Sequence, residues 1–193
     1  PGILAQSVLF IAIFYGISII WEKDLGVVHK FLVSPTPRAA LVLGKALSAG
    51  VRGLAQGLIV VVIALLLRVH LNFNLLSLLG VALAVVLGSA LFSTFSLIIA
   101  CIVKTRERFM GLGQVLTMPL FFASNAIYPI SIMPSWLQVV SHLNPLTYEV
   151  DILRQLMLVG GTGTYQIGFD LGVLAAITII LVLIGAVMYP KVI

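Results

Sequence analysis

Five long apolar runs, separated by short polar stretches, make up most of this chain: residues 3–20, 46–67, 75–103, 109–127 and 167–189. Each approaches or exceeds the roughly 20 residues a helix needs to cross a bilayer. Trp21 closes the first run at the place where an interfacial aromatic belongs. The second run carries Arg52 and Gln56 in its first half. Burying an arginine at mid-membrane costs about 2.5–3.5 kcal/mol, and less if the side chain snorkels to the near interface, the reading preferred here over a substrate contact. Ala49, Gly53 and Gly57, then Gly80, Ala84 and Gly88, recur at four-residue spacing and permit close helix packing. Ser93, Thr94 and Ser96 are expected to bond back to their own helix.

Between the first two runs the pattern changes. Leu25, Val28, Phe31 and Leu32 recur at helical spacing, while Glu22, Lys23, Asp24, His29 and Lys30 fall largely on other faces. This predicts an amphipathic helix of about two or three turns lying along the interface. Ser34-Pro35-Thr36-Pro37 stops it, because proline removes an amide and biases its predecessor away from helical geometry. A second break follows the fourth run, which contains Pro119. Tyr128-Pro129, Met133-Pro134, Trp136 and Asn144-Pro145 interrupt a stretch that stays largely apolar. Short broken helices dipping into the membrane are expected there, their freed backbone groups covered by protein or water. A helix resumes over 145–158, with Asp151 and Arg154 at a favourable three-residue spacing.

Composition agrees with a chain solvated by lipid: 61% of the 193 residues are apolar and 9% charged, against about 25% charged in soluble domains. The net charge of +5 therefore has to be read by position. With Trp21–Lys45 on the inside, that side holds Lys23, Lys30, Arg38, Lys45, Lys104, Arg106, Arg108 and Lys191, with Arg52 snorkelling toward it, and the opposite side only Arg68 and Arg154. The positive-inside rule then makes the amphipathic helix cytoplasmic and the proline-broken stretch external.

Little chemistry is on offer. The single Cys101 and the scattered His29, His70 and His142 show no metal-ligand spacing. No phosphate-loop motif occurs, and Gly160-Gly161-Thr162-Gly163 lacks the following Lys-Ser/Thr. Glu149, Asp151 and Asp170 are expected at or outside the external boundary, leaving the spans without a carboxylate for proton coupling. Catalysis is not expected. Energy for uphill transport would enter from another subunit, through the cytoplasmic helix.

Two signatures then carry a family resemblance. Trp21-Glu-Lys-Asp-Leu-Gly26, Ser34-Pro-Thr-Pro-Arg38 and Leu43-Gly-Lys45 resemble the first cytoplasmic loop of type 2 ATP-binding cassette (ABC) exporter permeases. Tyr128-Pro, Met133-Pro-Ser-Trp-Leu137, Asn144-Pro-Leu-Thr-Tyr148, Asp151 and Arg154 resemble that family's external signature before its last span. The nearest likeness is to the daunorubicin-resistance type of multidrug permease. At Val27 and His29 the chain departs from the family pattern, which commonly has Thr and then Glu.

The resemblance implies an all-α polytopic bundle in one transmembrane permease domain, residues 1–193. Five spans of six would be visible, the N-terminal interfacial helix and first span lying before Pro1. It implies a coupling helix (Glu22, Lys23, Asp24, Leu25, Gly26, Val28, His29, Phe31, Leu32) docked on an ABC ATP-binding subunit. A second permease copy, identical or related, would complete the pair. Tyr128, Pro129, Met133, Pro134, Trp136, Asn144, Pro145, Tyr148, Asp151 and Arg154 would form the external exit. No cofactor is expected in this chain, with Mg-ATP bound by the partner, and no nucleic acid. The implied function is ATP-driven export of an amphipathic or lipophilic drug or lipid across a prokaryotic cell membrane. Export of polysaccharide or lipid-linked glycan, or a non-transporting scaffold that docks a cytoplasmic partner, are the alternatives.

Overall fold

The computed structural model describes residues 1–28, 33, 36–103 and 105–189, and among these the structure is helical with short connections. The helices are α1 (Gly2–Tyr15), α2 (Ser18–Asp24), α3 (Arg38–Leu66), α4 (Leu75–Val103), α5 (Arg106–Phe122), α6 (Ser135–Leu143), α7 (Pro145–Met157) and α8 (Ile167–Met188), with a 3-10 turn at Ile130–Ile132. Among the described residues, four stretches are long and apolar enough to cross a membrane: Gly2–Asp24, Arg38–Leu66, Leu75–Val103 and Ile167–Met188. The chain is a helical, polytopic membrane protein.

The crossing expected from the fourth run is shorter than its apolar stretch. α5 has 17 residues, about 25 Å at 1.5 Å per residue. Pro119 withholds an amide in the last turn, and the helix ends at Phe122. It nevertheless runs the height of α1–α2. Arg106 at its start pairs with Asp24, and the segment after its end lies against the start of α1, where Gly2 meets the Ala126 backbone.

α4 is the axis, packing on α1, α3, α7 and α8. Lipid supplies no hydrophobic drive between apolar helices, so close approach through small residues does the work. Ala46, Ala49, Gly50, Gly53 and Gly57 are the buried edge of α3, and a side chain on Gly53 would run into Ser89 of α4. The second small-residue stripe, Gly80, Ala84 and Gly88, receives α7: Gly80 meets Leu156 and Gly88 meets Glu149. Ser93 and Thr94 donate to the carbonyl of Ala90 on their own helix, as expected.

Ser96 does otherwise. Its hydroxyl donates across to the carbonyl of Ile13, and a Cβ on Gly16 would lie 2.5 Å from the Cβ of Ser96 and 2.9 Å from its backbone carbonyl carbon. At that contact the ladder of α1 gives way to tighter i to i+3 bonds, Gly16 N to Ile13 O and Ile17 N to Phe14 O. A side chain inserted at the ladder is a recognised cause of such a break, and it divides α1 from α2 within one apolar span.

Gly16→Ala should therefore destabilise the bundle by about 1–3 kcal/mol through overpacking against α4. Gly44→Ala, which meets nothing within 4 Å, should be neutral or slightly stabilising. Thermal melts of the two variants in the same detergent compare them directly.

Candidate functional site

The candidate residues gather at opposite ends of the bundle. At the Trp21 end, α2 is fixed by two ion pairs, Glu22 to Lys45 of α3 and Asp24 to Arg106 of α5, each at 2.6 Å. The Arg106 guanidinium also lies 5.1 Å from the centre of the Trp21 ring. The Asp24–Arg106 pair is about half exposed and contributes at most about 1 kcal/mol. Its consequence is positional: α2 is tied to both neighbours.

The helix does not continue from Glu22 to Leu32 as one piece, which corrects the expected amphipathic helix. Gly26 takes a φ of +70°, the left-handed conformation that glycine adopts without steric cost. The amides of Leu25 and Gly26 close the last turn of α2 onto Trp21 O and Lys23 O. Helical geometry resumes at Val27 and Val28. His29, Phe31 and Leu32, with Lys30 and the Ser34-Pro35 stop, lie outside the described residues, as do Lys104 and Lys191.

The coupling candidates thus separate by environment. Glu22 and Asp24 are committed to ion pairs, and Lys23 is half-buried. Val28, expected on a partner-facing surface, is fully buried with Ile19, Ile20, Val42, Phe109 and Tyr189. Leu25 is left 76% exposed at the turn. The structure therefore presents a small apolar ledge, with Val28 as its anchor in the core.

At the other end the broken segment is held by side chains that satisfy its loose backbone. Asn144 works twice: its Oδ1 caps α7 by accepting from Leu146 N at 3.0 Å, and its Nδ2 donates to Leu120 O at the end of α5 at 2.6 Å. Ser124 covers Phe121 O and Arg154 covers Asn125 O. Pro145 opens α7 at a position whose amide has no helical partner to lose. Pro129 and Pro134 are the N-caps of the 3-10 turn and of α6. Met133 is buried beneath them, whereas Tyr128 and Trp136 are exposed.

Tyr148 donates to His142 O at 2.6 Å and stacks against Tyr165, while the Tyr165 hydroxyl bonds the His142 ring. Asp151, fully buried, accepts the amides of Thr164 and Tyr165 at 2.8 and 2.9 Å. It does not pair with Arg154 as the spacing suggested. Backbone amides are closer to hand, and Arg154 turns to Asn125 O.

One functional candidate escaped the sequence reading. Glu149 was expected at the external boundary, yet its carboxyl is fully buried against Gly88, near the midpoint of α4. Both oxygens lack a hydrogen-bond partner. α7 is too short to span, at 13 residues, but it is sunk between α4, α8 and α1 and carries the carboxyl to mid-height. Burial pushes this carboxyl well above the ordinary carboxylate range, which favours its neutral form. The expectation that no carboxylate lies at depth is corrected by this residue. No group of His, Cys, Asp and Glu able to hold a metal occurs among the described residues.

Residues 1–158 match the sequence profile of the ABC-2 type transporter family. The chain is similar to ycf38 of Cyanophora paradoxa, named as a transport permease (26% identical, covering all of this chain and 69% of that protein). It is also similar to the daunorubicin resistance ABC transporter permease protein DrrB1 of Streptomyces coeruleorubidus (25%, covering 92% and 62%). A third relative is the inner membrane transport permease YadH of Escherichia coli K12 (28%, covering 80% and 59%). The chain thus spans about three-fifths to two-thirds of the length of these relatives. No solved structure matches.

Two outcomes check this geometry. Asn144→Asp keeps the cap acceptor but loses the donor to Leu120 O, and should cost about 1–3 kcal/mol in denaturant unfolding. Glu149 binds its proton more tightly folded than unfolded, so wild-type stability should fall as pH rises above the ordinary value of 4.5. Glu149→Gln should reduce that slope in melts recorded from about pH 5 to about pH 9.

Proposed function

Because the chain belongs to the ABC-2 type transporter family, we propose that it is the permease subunit of an ABC exporter driven by a separate ATP-binding subunit. The observation that carries this reading is the Trp21 end. Leu25 stands exposed on a short helix tied by Glu22 to α3 and by Asp24 to α5, so a push received there reaches three elements. On this reading that end is cytoplasmic, the ledge and the residues after it dock on the ATPase, and Mg-ATP stays with that partner. The chain itself contributes no catalytic group or cofactor. A second permease copy, the same or related, completes the pathway in the cell membrane of a prokaryote.

The cargo we favour is amphipathic or lipophilic. Support comes from long exposed apolar faces on α3 and α8 and from similarity to a permease named for daunorubicin resistance. On the opposite side, the short helices around Tyr128, Met133, Trp136 and Tyr148 form the exit. Export of polysaccharide or lipid-linked glycan is the competing reading, and comparing stimulation of the partner ATPase by lipophilic drugs and by glycan lipids separates the two.

Sidedness and coupling are tested together. With Cys101 changed to Ser, Leu25→Cys should react with a membrane-impermeant maleimide only from the cytoplasmic side, and Trp136→Cys only from outside. Leu25→Glu should weaken association with the ATPase subunit about ten-fold or more, with membrane insertion unchanged. Cargo movement by the purified chain without any ATPase subunit would refute the reading.

A further inference from the structure

An open groove of about 300 Å³ lies between the first span and α3, walled by Ile11, Phe14, Tyr15, Ser18 and Trp21, with Arg52 on its α3 side. Arg52 is exposed and stands about two turns, or roughly 10 Å, deeper along α3 than Lys45. Its guanidinium carbon is 4.6 Å from the centre of the Tyr15 ring. That ring is itself held by a hydrogen bond from its hydroxyl to Ser48 Oγ at 3.1 Å. The stack orients the guanidinium, but a ring face accepts none of its in-plane N–H donors.

No carboxylate among the described residues neutralises Arg52. Of the acids at this end, Glu22 is committed to Lys45 and Asp24 to Arg106, and Glu107, exposed at the start of α5, does not line the groove. The field left over is positive, and the groove that contains it is apolar, aromatic and open to the side. A guanidinium fork in such a setting matches a phosphate, which it can engage through paired N–H bonds. The apolar wall suits the hydrocarbon attached to that phosphate, and exposed Trp21 stands at the interfacial end of the groove.

We propose that this groove seats an anionic membrane lipid, its headgroup phosphate on Arg52 and its acyl chain along Ile11 and Phe14. Net charge sets the preference: with Arg52 the one charged residue among the described residues lining the groove, a headgroup that carries its own cation gains less here than phosphatidylglycerol does.

Native mass spectrometry tests this on the full chain, released from nanodiscs of equal phosphatidylglycerol and phosphatidylcholine. The expected result is a retained phosphatidylglycerol adduct, reduced about five-fold or more by Arg52→Gln and partly kept by Arg52→Lys. Arg108→Gln, which removes a cation at the same end without touching the groove, should keep the adduct. Ser18→Trp, which fills the groove and leaves Arg52 in place, should lose it, so the outcome does not hang on the folding of one variant. Equal retention of both lipids, retention unaffected by Arg52→Gln, or equal loss in Arg108→Gln would each overturn the proposal. So would cross-linking that finds another protein helix in the groove.

Discussion

The fit of small residues along α4 is the constraint on which the rest of the molecule depends. Helices immersed in hydrocarbon gain nothing by merely hiding apolar surface from one another. They associate where backbones can approach, and α4 offers such places on more than one side. α3 closes in through its glycine edge at Ser89, α1 through Gly16 at Ser96, and α7 at Gly80 and Gly88. The broken span α1–α2 and the sunken position of α7 both follow from how near these backbones come.

From that axis the two ends diverge in chemistry. The Trp21 end is held by charged side chains that reach between helices near a surface, where they can exchange with water. The Pro145 end is held by short polar side chains that meet backbone groups left over by prolines. In hydrocarbon an unmet carbonyl is costly, so irregular backbone survives there only if the protein supplies the partner. α5 connects the ends, with Arg106 in one set of contacts and the Leu120 carbonyl in the other.

Much of the fold was legible because hydropathy reports spans directly. The run 75–103 coincides with α4, bounded by Asn74, whose side chain accepts from Leu76 N. Legibility failed where polarity and depth part company. Glu149 sits between Tyr148 and Asp151, and such a cluster reads as a boundary. α7, however, is buried on nearly every side, so its polar residues mark internal contacts instead of an exit from the membrane. Gly26 was visible as a glycine after a polar helix end, a C-terminal signal, but the apolar spacing beyond it suggested continuity. Spacing alone paired Asp151 with Arg154, and the competing amides of Thr164 and Tyr165 come from a loop that local pattern cannot place.

The seat of Asp151 also bears on how this chain is made. α7 is too short to cross, and it carries Glu149 and Asp151 into the bundle. Its stabilising amides belong to residues synthesised afterwards, and Tyr165, which supplies both an amide and a ring, immediately precedes α8. Until that last helix has entered the bilayer, α7 has α1 and α4 to rest against but lacks the amides that Asp151 accepts and the wall that α8 supplies. The seat of α7 is therefore finished only by chain made after it, so a truncation at the end of α7 removes the amide partners of Asp151 as well as a span.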